Sequence, residues 1–138
     1  MIKEVDLAYY AGLFDGEGCI QIVKTKTKHR VQFQLWCSVG MTNYWILADL
    51  QSAFKGAIIG QTKYGNRRAS WIWRVVARQA LTFLMEVLPY LKVKKSEAEL
   101  AIKFQRRRMW SNQYKDNHDT VLDEAEKVLM SHFNKRGI

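Results

Sequence analysis

Between residues 31 and 39 the chain alternates: Val31, Phe33, Leu35, Cys37 and Val39 interleave with Gln32, Gln34, Trp36 and Ser38. A period of two predicts a strand with one buried face and one accessible face. Residues 19 to 26 predict a partner strand just upstream. Residues 57 to 63 and 69 to 76 predict a second hairpin, turning at Tyr64-Gly65-Asn66-Arg67. In its second strand Trp71, Trp73 and Val75 share the buried side, opposite Ser70, Ile72 and Arg74. Helical patterns flank these strands. Asp6 is expected to cap a helix running from Leu7 through Phe14 and stopping at Gly16 and Gly18. Residues 43 to 54 set Trp45, Leu47, Leu50 and Phe54 on one apolar side, and 78 to 88 form a helix ending before Pro89. Ser96 and Glu99 form a capping box for a helix reaching about Trp110, and 119 to 133 make the last one.

This order predicts an α+β fold, αββαββα, with helices on one face of an antiparallel sheet and the other face free. The free face is expected to carry Gln21, Val23, Thr25, Gln32, Gln34, Trp36, Ser38, Gln61, Lys63, Ser70, Ile72 and Arg74. Amides, hydroxyls and cations among a few apolar groups suit the reading of base edges in a major groove. A merely solvated sheet face is the plain alternative.

Charge changes that picture. The net charge is +9, and residues 18 to 85 hold ten Lys/Arg against the single acid Asp49, so the whole excess lies there. A basic surface so concentrated points to a polyanion, nucleic acid first, and adds Lys26, Lys28, Arg30, Arg67 and Arg68 to the expected DNA contacts. The chain is expected to be one domain over residues 1–138, since 48% hydrophobic content suffices for its own core. It has no apolar stretch of membrane-spanning length and no signal-peptide pattern, which predicts an intracellular protein, cytoplasmic or organellar, without a membrane partner. Cys19 and Cys37 read as reduced thiols, and the scattered histidines do not resemble a zinc site.

The segment Tyr10-Ala11-Gly12-Leu13-Phe14-Asp15-Gly16-Glu17-Gly18 carries the decisive chemistry. Ala8, Ala11 and Gly12 leave a strip of helix almost bare of side chains, so a second helix can approach closely. Asp15 and Glu17 are expected just beyond the helix's C-terminus, where its dipole disfavours carboxylates and a divalent cation would offset the cost. The segment closely resembles the motif that names the LAGLIDADG homing endonucleases, with Glu17 replacing its second acid conservatively. The resemblance continues through the αββαββ order to Pro89-Tyr90-Leu91-Lys92-Val93-Lys94, which is similar to the family's lysine-bearing stretch.

The resemblance implies a saddle-shaped sheet and sequence-specific cleavage of double-stranded DNA that leaves 3′ overhangs. It places the metal at Glu17 and Gly16, makes Asp15 mainly structural, and assigns Lys94, with Lys92 beside it, to charge stabilisation near the scissile phosphate. One motif per chain implies a two-fold homodimer through Ala8, Ala11, Gly12 and Asp15, and hence a palindromic or pseudo-palindromic site. The implied cofactor is Mg²⁺, with Mn²⁺ substituting and Ca²⁺ binding without supporting cleavage; no small-molecule cofactor is implied. Relatives often carry a glutamine at the end of the second strand to orient the attacking water. Here Met41 stands there, and Asn43 substitutes through a one-residue shift or the water is held otherwise. A non-catalytic DNA-binding regulator or an RNA-binding maturase is the alternative on the same scaffold. Arg106-Arg107-Arg108 fits phosphate contact or a cationic helix end equally.

Overall fold

The computed structural model describes residues 1–61, 69–110 and 117–136. The elements are α1 (Glu4–Glu17), β1 (Gly18–Lys26), β2 (Val31–Met41), α2 (Tyr44–Phe54), β3 (Ala57–Gln61), β4 (Ser70–Val76), α3 (Ala77–Val87), a 3₁₀ turn (Leu88–Tyr90), α4 (Lys95–Trp110) and α5 (Asn117–Arg136). The four strands form one antiparallel sheet in the order β1-β2-β4-β3. The αββαββ order and the helix-covered sheet are as the alternation predicts. The predicted turn at 64–67 lies outside the described residues.

Register fixes the two faces. Ile20, Ile22, Phe33, Leu35, Cys37, Val39, Trp73 and Val75 are all buried, and their pairings Ile20 with Cys37, Ile22 with Leu35, and Val39 with Trp73 put them on one side. Helices cover that side. At its centre Phe14, Phe54, Trp73 and Phe83 meet edge to face or tilted, with Phe83 ring centroids 5.0, 4.9 and 5.1 Å from Phe14, Phe54 and Trp73. Such pairs add to area burial through their quadrupoles. The Trp73 indole N–H, otherwise a buried orphan, donates to the Lys55 carbonyl at 2.8 Å.

Several local expectations change. Helix α1 begins at Glu4 behind Lys3, so Asp6 lies in its first turn, where a carboxylate still complements the dipole, and does not cap it. Helix α4 begins at Lys95 with the Ala98 N–H bonded to the Lys94 carbonyl, so Ser96 is inside the first turn and no Ser96 capping box forms. Trp45 is 76% exposed, unlike Leu47, Leu50 and Phe54, because it falls on the far side of α2.

Candidate DNA-binding and metal site

Helix α1 runs through the motif to Glu17, so Asp15 and Glu17 belong to its last turn and do not follow it. The two acids differ completely. Asp15 is half-buried and its carboxylate accepts the backbone N–H groups of Lys92, Val93 and Lys94 at 2.9, 3.1 and 2.9 Å. Three such bonds to a charged acceptor fasten the 92–94 segment to the end of α1. Glu17 is exposed, and among the described residues it has no hydrogen-bond or ion-pair partner.

An α-helix leaves its last carbonyls without internal partners. Here the Gly18 N–H takes that of Phe14, and the Lys94 ammonium donates to that of Asp15 at 3.0 Å. The Gly16 carbonyl is next in line, beside the free Glu17 carboxylate. Gly18 makes the turn into β1 feasible: a Cβ there would lie 2.6 Å from the Phe14 carbonyl oxygen and closer still to its ring.

The outward strip of α1 is Val5, Ala8, Tyr9, Gly12 and Gly16, all exposed. A Cβ added at Gly12 or Gly16 meets nothing within 4 Å. Ala11, expected on this strip, is instead fully buried in the core, one residue off the 8-12-16 line, so it is unavailable to a second helix. Asp15 sits at the strip's margin, occupied with residues 92–94.

The donor set can be tested against a divalent cation. Carbonyl and carboxylate oxygens are what Mg²⁺ or Ca²⁺ prefers. One chain offers only one free carboxylate here, and no group of three His, Cys, Asp or Glu side chains able to hold a metal exists among the described residues. The donors are therefore of the right chemistry for such a cation but too few in one chain to enclose it.

On the sheet's open face, cross-strand pairs join Gln21 to Trp36, Val23 to Gln34, Thr25 to Gln32, and Ser38 to Arg74. Arg74 lies over the Trp36 ring, guanidinium carbon to centroid 4.2 Å, and the Trp36 indole N–H donates to Gln34 Oε1 at 2.6 Å. Stacking and hydrogen bonding thus hold three of the expected reading residues in one arrangement, with the Arg74 Nε–H buried and unpartnered. Ser70 and Ile72 share this face through pairing with Gln61 and Ile59. Lys28 and Arg30 are exposed in the β1–β2 loop, which the Thr27 N–H closes onto the Arg30 carbonyl at 2.7 Å.

Lys26 is a correction. It shares the parity of Ile20 and Ile22, pairs with Val31, and so turns toward the helix side of the sheet. Lys63, Arg67 and Arg68 lie outside the described residues. Two open-face residues, Cys19 opposite Ser38 and Ile59 opposite Ile72, were not expected; extending the alternation two positions at each strand would have found them. Asn43 caps α2, its Oδ1 accepting the Ile46 N–H at 3.3 Å, and Met41 is half-buried against the core. Arg107 and Arg108 both pair with the buried Asp123 of α5, at 2.6 and 2.7 Å, and Arg107 also with Glu126 at 2.6 Å. Arg107 and Arg108 therefore staple α4 to α5, while Arg106 donates to the Met85 sulfur of α3 at 3.7 Å.

These features define a LAGLIDADG-type scaffold: a motif helix bare on one side, acids at its end, and an antiparallel sheet with an open polar face. The model of the LAGLIDADG endonuclease family matches residues 10–110, and the chain belongs to that family. The DNA endonuclease I-CvuI of Chlorella vulgaris is 30% identical over 104 residues, 72% of this chain and 63% of that protein. The chain thus spans somewhat less than two thirds of that relative's length. The crystal structure of I-CvuI in complex with the I-CreI target superposes with a TM-score of 0.77 at 21% identity, covering 94% of this chain and 82% of that one. The archaeal intron-encoded homing endonuclease I-Vdi141I, complexed with DNA, gives 0.79 at 12% identity over 94% and 84%. Both likenesses establish the fold.

Proposed function

We propose that this chain is a homing endonuclease that acts as a two-fold homodimer, each copy one domain, and cuts double-stranded DNA at a long palindromic or pseudo-palindromic site inside the cell or organelle. The observation that carries this reading is the division of labour at the end of α1. Asp15 is consumed structurally, while Glu17 is exposed and, among the described residues, unpaired beside a strip with no side chain at Gly12 or Gly16. Two copies packed through that strip would bring their Glu17 side chains together, completing the donor set that one chain lacks.

Magnesium, when bound there, would supply Lewis-acid activation of water and neutralise charge developing at the phosphate. Glu17 and the Gly16 carbonyl would hold it; manganese is expected to substitute and calcium to bind without supporting cutting. Lys94 would serve the same phosphate electrostatically, from an ammonium already kept beside the helix end. Lys92, exposed and anchored through its backbone, would stand next to it. The open face, with Gln34, Trp36 and Arg74 held together, would read base edges.

One observation favours a second reading, a DNA-binding regulator or maturase that does not cut. At the end of β2, Met41 is apolar and the Asn43 side-chain Oδ1 accepts the Ile46 N–H as the cap of α2, a structural use of the one polar side chain nearby.

Incubating a randomised palindromic DNA library with the protein, with Mg²⁺ or with EDTA, separates the two. Magnesium-dependent cutting with 3′ overhangs supports the nuclease, and Glu17→Gln should then abolish cutting while leaving DNA retention nearly intact. Selective retention without cutting would replace the first reading with the second.

A further inference from the structure

On the two central strands of the open face, three side chains share one arrangement. Gln34 and Trp36 lie two residues apart on β2 and so on the same side, and Arg74 of β4, opposite Ser38, reaches back over the Trp36 ring. None of the four strands contains an acid, so no carboxylate of the sheet claims the guanidinium. This corner lies inboard. Beyond it runs β1, whose outer edge α5 covers, with the Asn134 amide donating to the Ile20 carbonyl at 3.0 Å.

Hydrogen-bond accounting fixes what the three side chains can offer. An indole N–H only donates, so the Gln34 group 2.6 Å from it is the amide oxygen. The free end of that amide is its –NH2, a donor. The Arg74 Nε–H is buried and without a partner among the described residues, which leaves the two terminal amino groups to donate outward. A guanidinium has no acceptor at all. In the major groove guanine shows two acceptors, O6 and N7, whereas adenine shows one acceptor beside a donor. A glutamine ordinarily chooses adenine by turning both ends of its amide to that edge. Here, turning the oxygen to a base means giving up the indole. We infer that Trp36 is a positioning residue that makes this corner present donors only, so that Arg74 and Gln34 each select guanine and Gln34 loses its ordinary choice of adenine. The inference rests on the proposed DNA reading.

Selection of bound duplexes from a randomised palindromic library, in EDTA so that binding alone is read, tests it in the full-length protein. Gln34→Ala and Arg74→Ala locate the two base pairs, each flattening the preference at its own. The parent should enrich guanine at both. Trp36→Phe keeps a ring beneath Arg74 and removes the N–H. It should leave guanine at the Arg74 base pair and bring adenine above guanine at the Gln34 base pair by about 5-fold or more, the lower end of what a two-bond contact discriminates. Arg74→Lys keeps the charge without the fork and should lose guanine at its own base pair alone. If the parent already prefers adenine at the Gln34 base pair, the inference is refuted and the DNA reading survives. The same holds if Trp36→Phe leaves both preferences unchanged or shifts every position alike, or if neither alanine variant alters any base pair. If the parent enriches no sequence, both fall.

Discussion

Single positions in this chain separate structural from chemical roles that look alike in the sequence. Only the family resemblance set Asp15 apart from Glu17 as the structural acid; the residues alone could not, because the 92–94 segment that consumes Asp15 lies 77 to 79 residues away in the chain. Local pattern has no access to such a partner. Gly18 was legible as a helix stop; why it is glycine became visible only with the Phe14 carbonyl 2.6 Å from its would-be Cβ. Gly18→Ala should therefore cost about 1–3 kcal/mol by overpacking, read as a lowered urea midpoint; an unchanged midpoint would mean the turn relaxes freely. The thiols give a second test. Burial pushes the Cys37 thiol far above its ordinary pKa and raises that of half-buried Cys19 less, with Lys94 pulling it back. A maleimide should label Cys19 alone in the native protein, and bound DNA should protect it, since Cys19 lies on the open face. Labelling of Cys37 under native conditions would contradict its burial.

Elements were legible where their own periodicity decides them. Strand β2 and its partner announced both faces through alternation, and the register bore this out from Gln21 to Ser38. Helix ends were not, because capping depends on which backbone groups lack partners: Ser96 and Asp6 have the right chemistry two and three residues too late. Nor was the destination of the arginine run. Arg107 and Arg108 both close on Asp123, which is 2% exposed, so one buried carboxylate joins two cations of α4 to α5, with Glu126 as a second partner of Arg107. Asp123→Ala leaves two guanidinium groups without that partner and should destabilise by about 3–5 kcal/mol. Hydrogen exchange should show α5 loosening before the sheet. Uniform exchange across both would place the weakness elsewhere.

At the scale of the molecule, the aromatic cluster of Phe14, Phe54, Trp73 and Phe83 ties the motif helix to the sheet it must orient. Phe83→Ala should cost about 3–5 kcal/mol, and its calorimetric transition should stay single if the helices and sheet unfold together. The assembly is tested separately by Gly12→Arg, which the fold accommodates because nothing lies within 4 Å of that position. It should keep the parent's circular dichroism while sedimenting as a monomer; a dimer that survives would exclude the α1 strip as its seam.

Strand β1 is outermost in the sheet, and a bare outermost strand invites the strand of another molecule. The C-terminal helix, lying along it with Asn134 on the Ile20 carbonyl, is therefore also a guard. A version ending after α4 would keep the motif and the reading face but lose that guard. Its failure would be colloidal before it was catalytic, appearing as concentration-dependent light scattering at temperatures where the intact chain stays clear.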